Sequence, residues 1–287
     1  MAKDILNVGG FTIKSRIGAG ARSVIYEAID DHDNTPVALK RVIFEKPEDY
    51  RVFEQVQTEF KTAQHIDHPY VRKCYKLRKI RRMLRVREML LSMELFDGVT
   101  LEDHPNLSLI DVLLVFRMVS SGLNSMHQHG YIHCDIKPNN ILLNKAGSIK
   151  IIDLGQSCKI GTIKRRIQGT PDYIAPEQVR RNPLGPKTDV FNLGATMYWS
   201  LTGKNVPTLI PKKDTLDVWI RQPLRAPHEL HRLIPEPVSN LVMDCVKENP
   251  AERPRNMVEV GSRLDILIHG ILSGTIKTKN TDEHNRT

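Results

Sequence analysis

The sequence predicts an α+β chain whose first third is strand-rich and whose remainder is mainly helical. Two observations carry this. Short apolar and β-branched runs bounded by turn residues fill residues 11–45 and recur up to residue 95. After FDGVT (96–100) the pattern changes to a long amphipathic helical one, LSLIDVLLVFRMVSSGLNSMHQHG (107–130). At 287 residues the chain holds one large domain or two lobes with a sizeable core. With 40% hydrophobic and 26% charged residues it is unlike a disordered chain.

In order, FTIKSRI (11–17) and SVIYEAID (23–30) read as strands flanking GAGAR (18–22), and DHDNT (31–35) as a turn before the strand PVALKRVIF (36–44). From about residue 49 to 66, Phe53, Val56, Phe60 and Ala63 recur at helical spacing, and His68-Pro69 ends the helix. Two more strands follow, the second being MLLSMEL (89–95), which makes a five-stranded sheet with one helix. Ser108 with Asp111 three residues on predicts a capping box for the long helix, Asp replacing the usual Glu or Gln. Short strands in ILLN (141–144) and IKIID (149–153) precede a polar loop and a series of helices to about 271. The polar tail IKTKNTDEHNRT (276–287) reads as frayed.

Net charge is +9, densest in VRKCYKLRKIRRMLRVR (71–87). Apolar Val71, Tyr75, Leu77, Ile80, Leu84 and Val86 recur among the charges, as in strands with one solvated face; binding of an anionic partner is the sharper alternative. No aromatic residues alternate with the charges, which argues against a nucleic-acid surface. Cys74, Cys134, Cys158 and Cys245 lack disulfide-framework or zinc spacing, so a reducing compartment fits. No apolar run is expected to approach the roughly 18 residues of a membrane span, LDILIHGILSG (264–274) being the longest candidate. MAKDILNVGG lacks the apolar core of a signal peptide. The chain is therefore read as soluble and cytoplasmic, without a membrane partner.

GAGARS (18–23) alone is a weak signal, since a Gly-x-Gly turn between strands is often only a hairpin. Its position between two strands excludes the strand-to-helix setting of a dinucleotide fold. VALK (37–40) follows at domain-scale spacing, and HCDIKPNN (133–140) then sets an acid, a base and an amide within one short turn. The ordered set GAGARSV (18–24), VALK, HCDIKPNN, DLG (153–155) and APE (175–177) resembles the eukaryotic-type serine/threonine protein kinases over about residues 11–270.

That resemblance implies a two-lobed protein-kinase-like fold: an N-lobe (about 11–96) with a five-stranded antiparallel sheet and one helix, a mainly helical C-lobe (about 100–270), and a tail at 271–287. It implies that Lys40 holds the α- and β-phosphates of ATP and pairs with a helix glutamate. Glu54 and Glu59 compete for that role. Five residues turn a helix by about 500°, so the two point some 140° apart and only one faces the sheet. Glu59, nine residues before His68-Pro69, is the choice. Asp135 would orient the substrate hydroxyl and take its proton, Lys137 would neutralise the moving phosphoryl group, and Asn140 and Asp153 would hold magnesium. Gly18 and Gly20 would cover the phosphates. Ile17, Val24 and Ala38 above and Leu142 below would enclose the adenine, with backbone bonds from Glu94 to Phe96 and Met93 as gatekeeper; plain core packing is the bland alternative for Ile17 and Leu142. Glu177 with Arg253 and the brace Asp189 would hold the site without touching substrate.

Four positions depart from the pattern. Ser23 replaces the third glycine of the loop and Leu154 the phenylalanine of DFG; both are expected to be tolerated. Cys134 stands where the family commonly has the arginine that anchors activation-segment phosphate. It reads as a packed, inert thiol, with a redox sensor as the alternative. Asn139 stands where a glutamate often reads basic target peptides, which leans against such targets. The whole implies an ATP- and magnesium-dependent transferase acting on protein serine or threonine, active without activation-segment phosphorylation. The rivals are a pseudokinase or ATP-binding scaffold, a small-molecule kinase of related fold, and a nucleic-acid binder using 71–87. Substrate identity and oligomeric state are not encoded in any motif here.

Overall fold

Strand order shows how the front of the chain closes on itself. A computed structural model describes residues 7–20, 22–45, 49–104, 107–207, 209 and 224–277. β1 (Phe11–Gly20), β2 (Ser23–Asp30), β3 (Pro36–Ile43), β4 (Cys74–Arg82) and β5 (Arg85–Glu94) form one antiparallel sheet in the order β1-β2-β3-β5-β4. Between β3 and β4 runs α1 (Asp49–Ala63), which lays Phe53, Val56 and Glu59 inward. The period of two decides the rest. On β3, Ala38 and Val42 belong to the cluster under α1, whereas Val37 and Leu39 belong to a second cluster with Phe11, Ala28 and Leu90. Lys40 is therefore placed on the α1 face between Ala38 and Val42.

The five strands and single helix match the sequence expectation. The helix ends at Ala63, ahead of His68-Pro69, because the following amides bond at shorter range, His65 N–H to Thr62 and Ile66 N–H to Ala63. Leu84 differs from expectation: with Met83 it occupies the β4–β5 turn, 93% and 94% exposed, and does not share the apolar sheet face. Lys76 of the basic stretch is neutralised by Asp30 at 2.7 Å.

Beyond β6 (Val99–Thr100) lies α2 (Leu109–Gln128), opened by Ser108 with the expected capping box: the Asp111 N–H donates to Ser108 Oγ at 3.1 Å and the Ser108 N–H to Asp111 Oδ2 at 3.2 Å. There follow β7 (Tyr131–Ile132), β8 (Ile141–Leu143), β9 (Ile149–Ile151), β10 (Cys158–Lys159), α3 (Pro176–Val179), α4 (Pro186–Thr202), α5 (Pro227–Leu230), α6 (Glu236–Cys245) and α7 (Met257–Leu272). Two small sheets, β6-β8-β9 and β7-β10, carry the loops of interest.

By length and composition α2 could span a membrane, contrary to the expectation that no run approaches that length. Its residues Leu113, Phe116, Val119, Leu123 and Met126 are instead fully buried in the core, against α4 and α7. Gly122 admits β9 there, since a Cβ at that place would meet Ile151 Cδ1 at 2.7 Å. The polar tail from residue 278 onward lies outside the described residues.

Candidate active site

The sheet and the helical part face each other across a cleft of about 870 Å³ lined by Ile17, Gly18, Gly20, Ala38, Phe96 and Leu142 above and below, with Lys40, Lys137, Asn140 and Asp153 at its inner end. A cavity of that size takes a nucleotide-sized ligand.

Lys40 Nζ donates to Glu59 Oε2 at 2.7 Å and lies 3.5 Å from Asp153 Oδ1. Burial alone would discharge the ammonium, but Asp153 and Glu59 overcome it and raise Lys40 above the ordinary lysine value. Reciprocally, the Lys40 charge holds the Asp153 carboxyl below the usual carboxylate range, against burial. Glu54 is exposed to solvent, as the helical-angle reading requires. Sequence reasoning missed Arg72. It is buried, with Nη2 3.7 Å from Glu59 Oε1, so Glu59 stands between two cations. Its N–H donates to Ile151 O, which ties the segment after His68-Pro69 to β9. No periodicity marks such a residue in the sequence.

The loop at 133–140 is fixed from beneath. Asp189 Oδ2 accepts from the His133 N–H at 2.9 Å, and Oδ1 from the Cys134 N–H at 2.8 Å; His127 Nε2 lies 2.8 Å from Oδ2. Gln178 Nε2 donates to Cys134 O at 2.8 Å. These bonds hold Cys134 at φ +67°, a left-handed conformation that costs a non-glycine residue of order 1–3 kcal/mol. The Asp135 N–H donates to His133 Nδ1, leaving Nε2 to donate to Ile152 O at 3.2 Å. Pro138 then opens a single 3-10 turn over Pro138–Asn140, where a missing N–H costs nothing.

Asp135 itself is set by Thr170, Lys137 and Asn140, whose Nδ2 donates to Oδ2 at 3.4 Å. Its Oδ1 accepts from the Thr170 N–H and Oγ1, both at 2.9 Å, and Lys137 Nζ lies 3.4 Å from Oδ2 while donating to Thr170 Oγ1 at 2.7 Å. Thr170 thus bridges Asp135 and Lys137. An acceptor hydroxyl entering here would meet a carboxylate already oriented, beside an ammonium group.

Asn140 donates its amide to Asp135 O at 2.8 Å, so its carbonyl oxygen is left to face the cleft with the Asp153 carboxylate. Two oxygen donors, one anionic, suit a magnesium ion that completes its shell with phosphate and water. Among the described residues no cluster of three or more His, Cys, Asp or Glu offers an all-protein cage.

Two expectations change. Val24 does not line the cleft: it pairs with Arg41 and faces outward beside Tyr26 and Ile43. Ile25, opposite Lys40, takes that place, because directly paired residues of an antiparallel sheet share a face. Glu94 turns its side chain to Lys150 at 2.6 Å, and its N–H is spent on Lys73 O, so its carbonyl alone remains for a ligand. Met93 is fully buried behind the cleft, and Leu154 is buried in the turn after Asp153. Ser23 sits at the cleft edge. Asn139 is engaged in a hydrogen bond to Glu102. Below the site Arg253 grips Glu177 bidentately at 2.8 and 3.0 Å, both buried.

A family model described as "Protein kinase domain" matches residues 11–260. The chain is 28% identical over 256 residues to the serine/threonine-protein kinase PknA of Mycobacterium tuberculosis, covering 86% of this chain and 59% of that one. It is 27% identical over 272 residues to the serine/threonine-protein kinase PknL of the same species, covering 90% and 65%. A Clostridium acetobutylicum protein named "Probable serine/threonine-protein kinase" is 26% identical over 263 residues, covering 87% and 38%. The chain therefore spans between about two fifths and two thirds of the length of these relatives.

Proposed function

Since the chain belongs to the protein kinase domain family, we propose that it is an active serine/threonine kinase that moves the γ-phosphoryl group of ATP to hydroxyls of protein substrates, with magnesium, in the cytoplasm. The observation that carries this reading is the Asp135–Thr170–Lys137 arrangement, a base, a hydroxyl and a cation locked together within 2.7–3.4 Å. A scaffold needs no such assembly. The names of the relatives support the choice of serine and threonine. The four unbridged cysteines support a reducing compartment.

Lys40 would bind the α- and β-phosphates, held in place by Glu59, which Arg72 braces from its other side. Asp135 would align the incoming hydroxyl and accept its proton, and Lys137 would offset the charge on the transferring group. Magnesium, when bound through Asn140 and Asp153, supplies neutralisation of the phosphate charge. Thr170 keeps Asp135 in one rotamer, so the geometry is prepaid.

The test is transfer of labelled phosphate from ATP to a serine/threonine peptide library, beside a nucleotide-binding titration. Asp135→Asn is expected to cut transfer by about 10²–10⁴-fold while nucleotide binding persists, and Asp153→Asn to weaken binding as well. Equal binding losses in the two variants would overturn the assignment of roles. A wild-type chain that binds nucleotide and transfers nothing would leave the scaffold reading in its place.

A further inference from the structure

The thiols of Cys134 and Cys158 lie 3.6 Å apart, in hydrogen-bonding contact, one on the catalytic loop and the other at the start of the activation segment. The two-stranded sheet of β7 and β10 brings their segments together, Cys158 pairing with Ile132, two residues before Cys134. Around the pair, Ile132 and Leu184 form a small apolar cluster. Cys134 is buried at 1% exposure, whereas Cys158 is only partly buried and gives a small oxidant a way in. The remaining cysteines differ in kind: Cys74 and Cys245 are buried apart from any other thiol contact, and burial pushes each up to about 12.

We propose that Cys134 and Cys158 form a dithiol modification site that closes to an intrachain disulfide on reaction with a peroxide-class oxidant and reopens with a thiol reductant. The roles follow from the surroundings. The hydrogen bond from Cys134 lowers the Cys158 thiol; burial opposes this, and Lys164 and Thr162 reinforce it. Burial, and that same bond, raise Cys134. Cys158, the more accessible of the two and the one whose thiol is lowered, is accordingly the nucleophile, and Cys134, buried beneath it, the resolving thiol. The Cys158 thiolate attacks one peroxide oxygen, the O–O bond breaks, and the departing hydroxide takes the proton that Cys158 released, giving a sulfenic acid and water. Cys134 sulfur then attacks the Cys158 sulfur, the S–O bond breaks, and hydroxide leaves with the Cys134 proton as a second water. Two thiols lose two protons and two electrons, and one peroxide becomes two waters.

Closure to a bond of about 2.05 Å requires the sulfurs to approach by roughly 1.5 Å. Cys134 is fixed through its own N–H and carbonyl by Asp189 and Gln178, so Cys158 makes the approach. The product would tie the activation segment to the catalytic loop at the very position where the family's phosphate-anchoring arginine is missing. This chemistry holds whether or not the chain transfers phosphate.

The fully reduced chain is treated with hydrogen peroxide at about pH 7.5, quenched with an alkylating agent and analysed by mass. The expected result is loss of two hydrogens, a covalent link between the peptides carrying Cys134 and Cys158, and reversal by dithiothreitol. Cys134→Ala should stop the reaction at a Cys158 sulfenic acid trapped by dimedone. Cys158→Ser should leave Cys134 unmodified. The wild-type measurement needs no variant and stands even if one misfolds. Free, alkylated Cys134 and Cys158 after peroxide, a Cys158 sulfinic acid without linkage, or a link through Cys74 or Cys245 would each overturn the proposal.

Discussion

Glu59 is held from both sides, by Lys40 at 2.7 Å and Arg72 at 3.7 Å, while Glu54 on the same helix is turned to solvent. The consequence is asymmetric. Glu59→Gln removes a charge-assisted contact worth about 1.5–3 kcal/mol, so kcat/KM should fall by about 10–100-fold; Lys40→Met should fall further, and Glu54→Gln should match wild type. Steady-state kinetics of the three variants checks this, and normal kinetics for Glu59→Gln would mean that the pair does not operate in turnover. Arg72 acts only through Glu59 in this geometry. Arg72→Met should therefore lower kcat more than it raises KM, and Arg72→Lys should restore part of the loss, which a purely packing role would not do.

At the scale of elements, the activation segment explains how a chain without an arginine at 134 keeps that segment in place. The Ile160 N–H donates to Gly130 O, the Gly161 N–H to Leu184 O and the Leu184 N–H to Thr162 O, all near 3.0 Å or shorter. Main-chain bonds and the Ile132–Cys134–Leu184 cluster do the anchoring. The phosphorylatable side chains are correspondingly poor switches. Ser157 and Tyr173 are buried, and Thr170 is committed to Asp135, leaving Thr162, whose hydroxyl donates to Lys159 O. Phosphatase-treated enzyme and the Ser157→Ala/Thr162→Ala double variant should transfer phosphate at rates close to untreated enzyme. A large fall on stripping, restored by rephosphorylation at either residue, would sink this expectation. Thr170→Val should lower transfer while sparing nucleotide binding, because it frees Asp135 to rotate. On α2, Ser108→Ala should cost ~1 kcal/mol in a urea melt by opening the capping box.

For the whole molecule, two buried charge sites join elements distant in sequence. Arg253 meets Glu177, the carbonyls of Lys187, Lys247 and Glu248, and the Phe191 ring at 4.9 Å, so α3, α4 and the segment between α6 and α7 converge on one guanidinium. Arg253→Met would leave Glu177 buried without its partner, at a cost of about 3–5 kcal/mol. That is a large part of an ordinary domain's stability of about 5–15 kcal/mol, and a denaturant titration should show it. Asp189 gives a pH signature. Burial works against its charge, yet the bonds from His127 and from the Cys134 amide win and lower its pKa from the ordinary 3.8. A depressed carboxyl contributes stability that is fully present above its unfolded value and is lost as pH falls through the lower folded value. The stability gap between wild type and Asp189→Asn should thus be flat over about pH 5–8 and shrink below about pH 4.

Much of the molecule was legible before any coordinate. Strand alternation and turn residues in 11–95 gave the five strands, and 3.6-residue spacing gave α1 and α2 and showed that only one of Glu54 and Glu59 faces the sheet, because these patterns report which face of an element a residue occupies; the distance to His68-Pro69, read through the family resemblance, picked Glu59. The ordered motifs gave Lys40, Asp135, Lys137, Asn140 and Asp153 as neighbours. Ile25 and not Val24 lies over the cleft by the pairing of β2 with β3, and G-x-G-x-x-G-x-V counted from Gly18 already points to residue 25. Tertiary structure alone decided the rest. The strands β6, β7 and β10 are two residues long, too short for any period. Arg72 beside Glu59, and Cys158 beside Cys134 across 24 residues of chain, arise where separate elements pack. Local sequence fixes the direction of a side chain on its own helix or strand; what it meets there is set by the path of another segment, and that path is a property of the packed core.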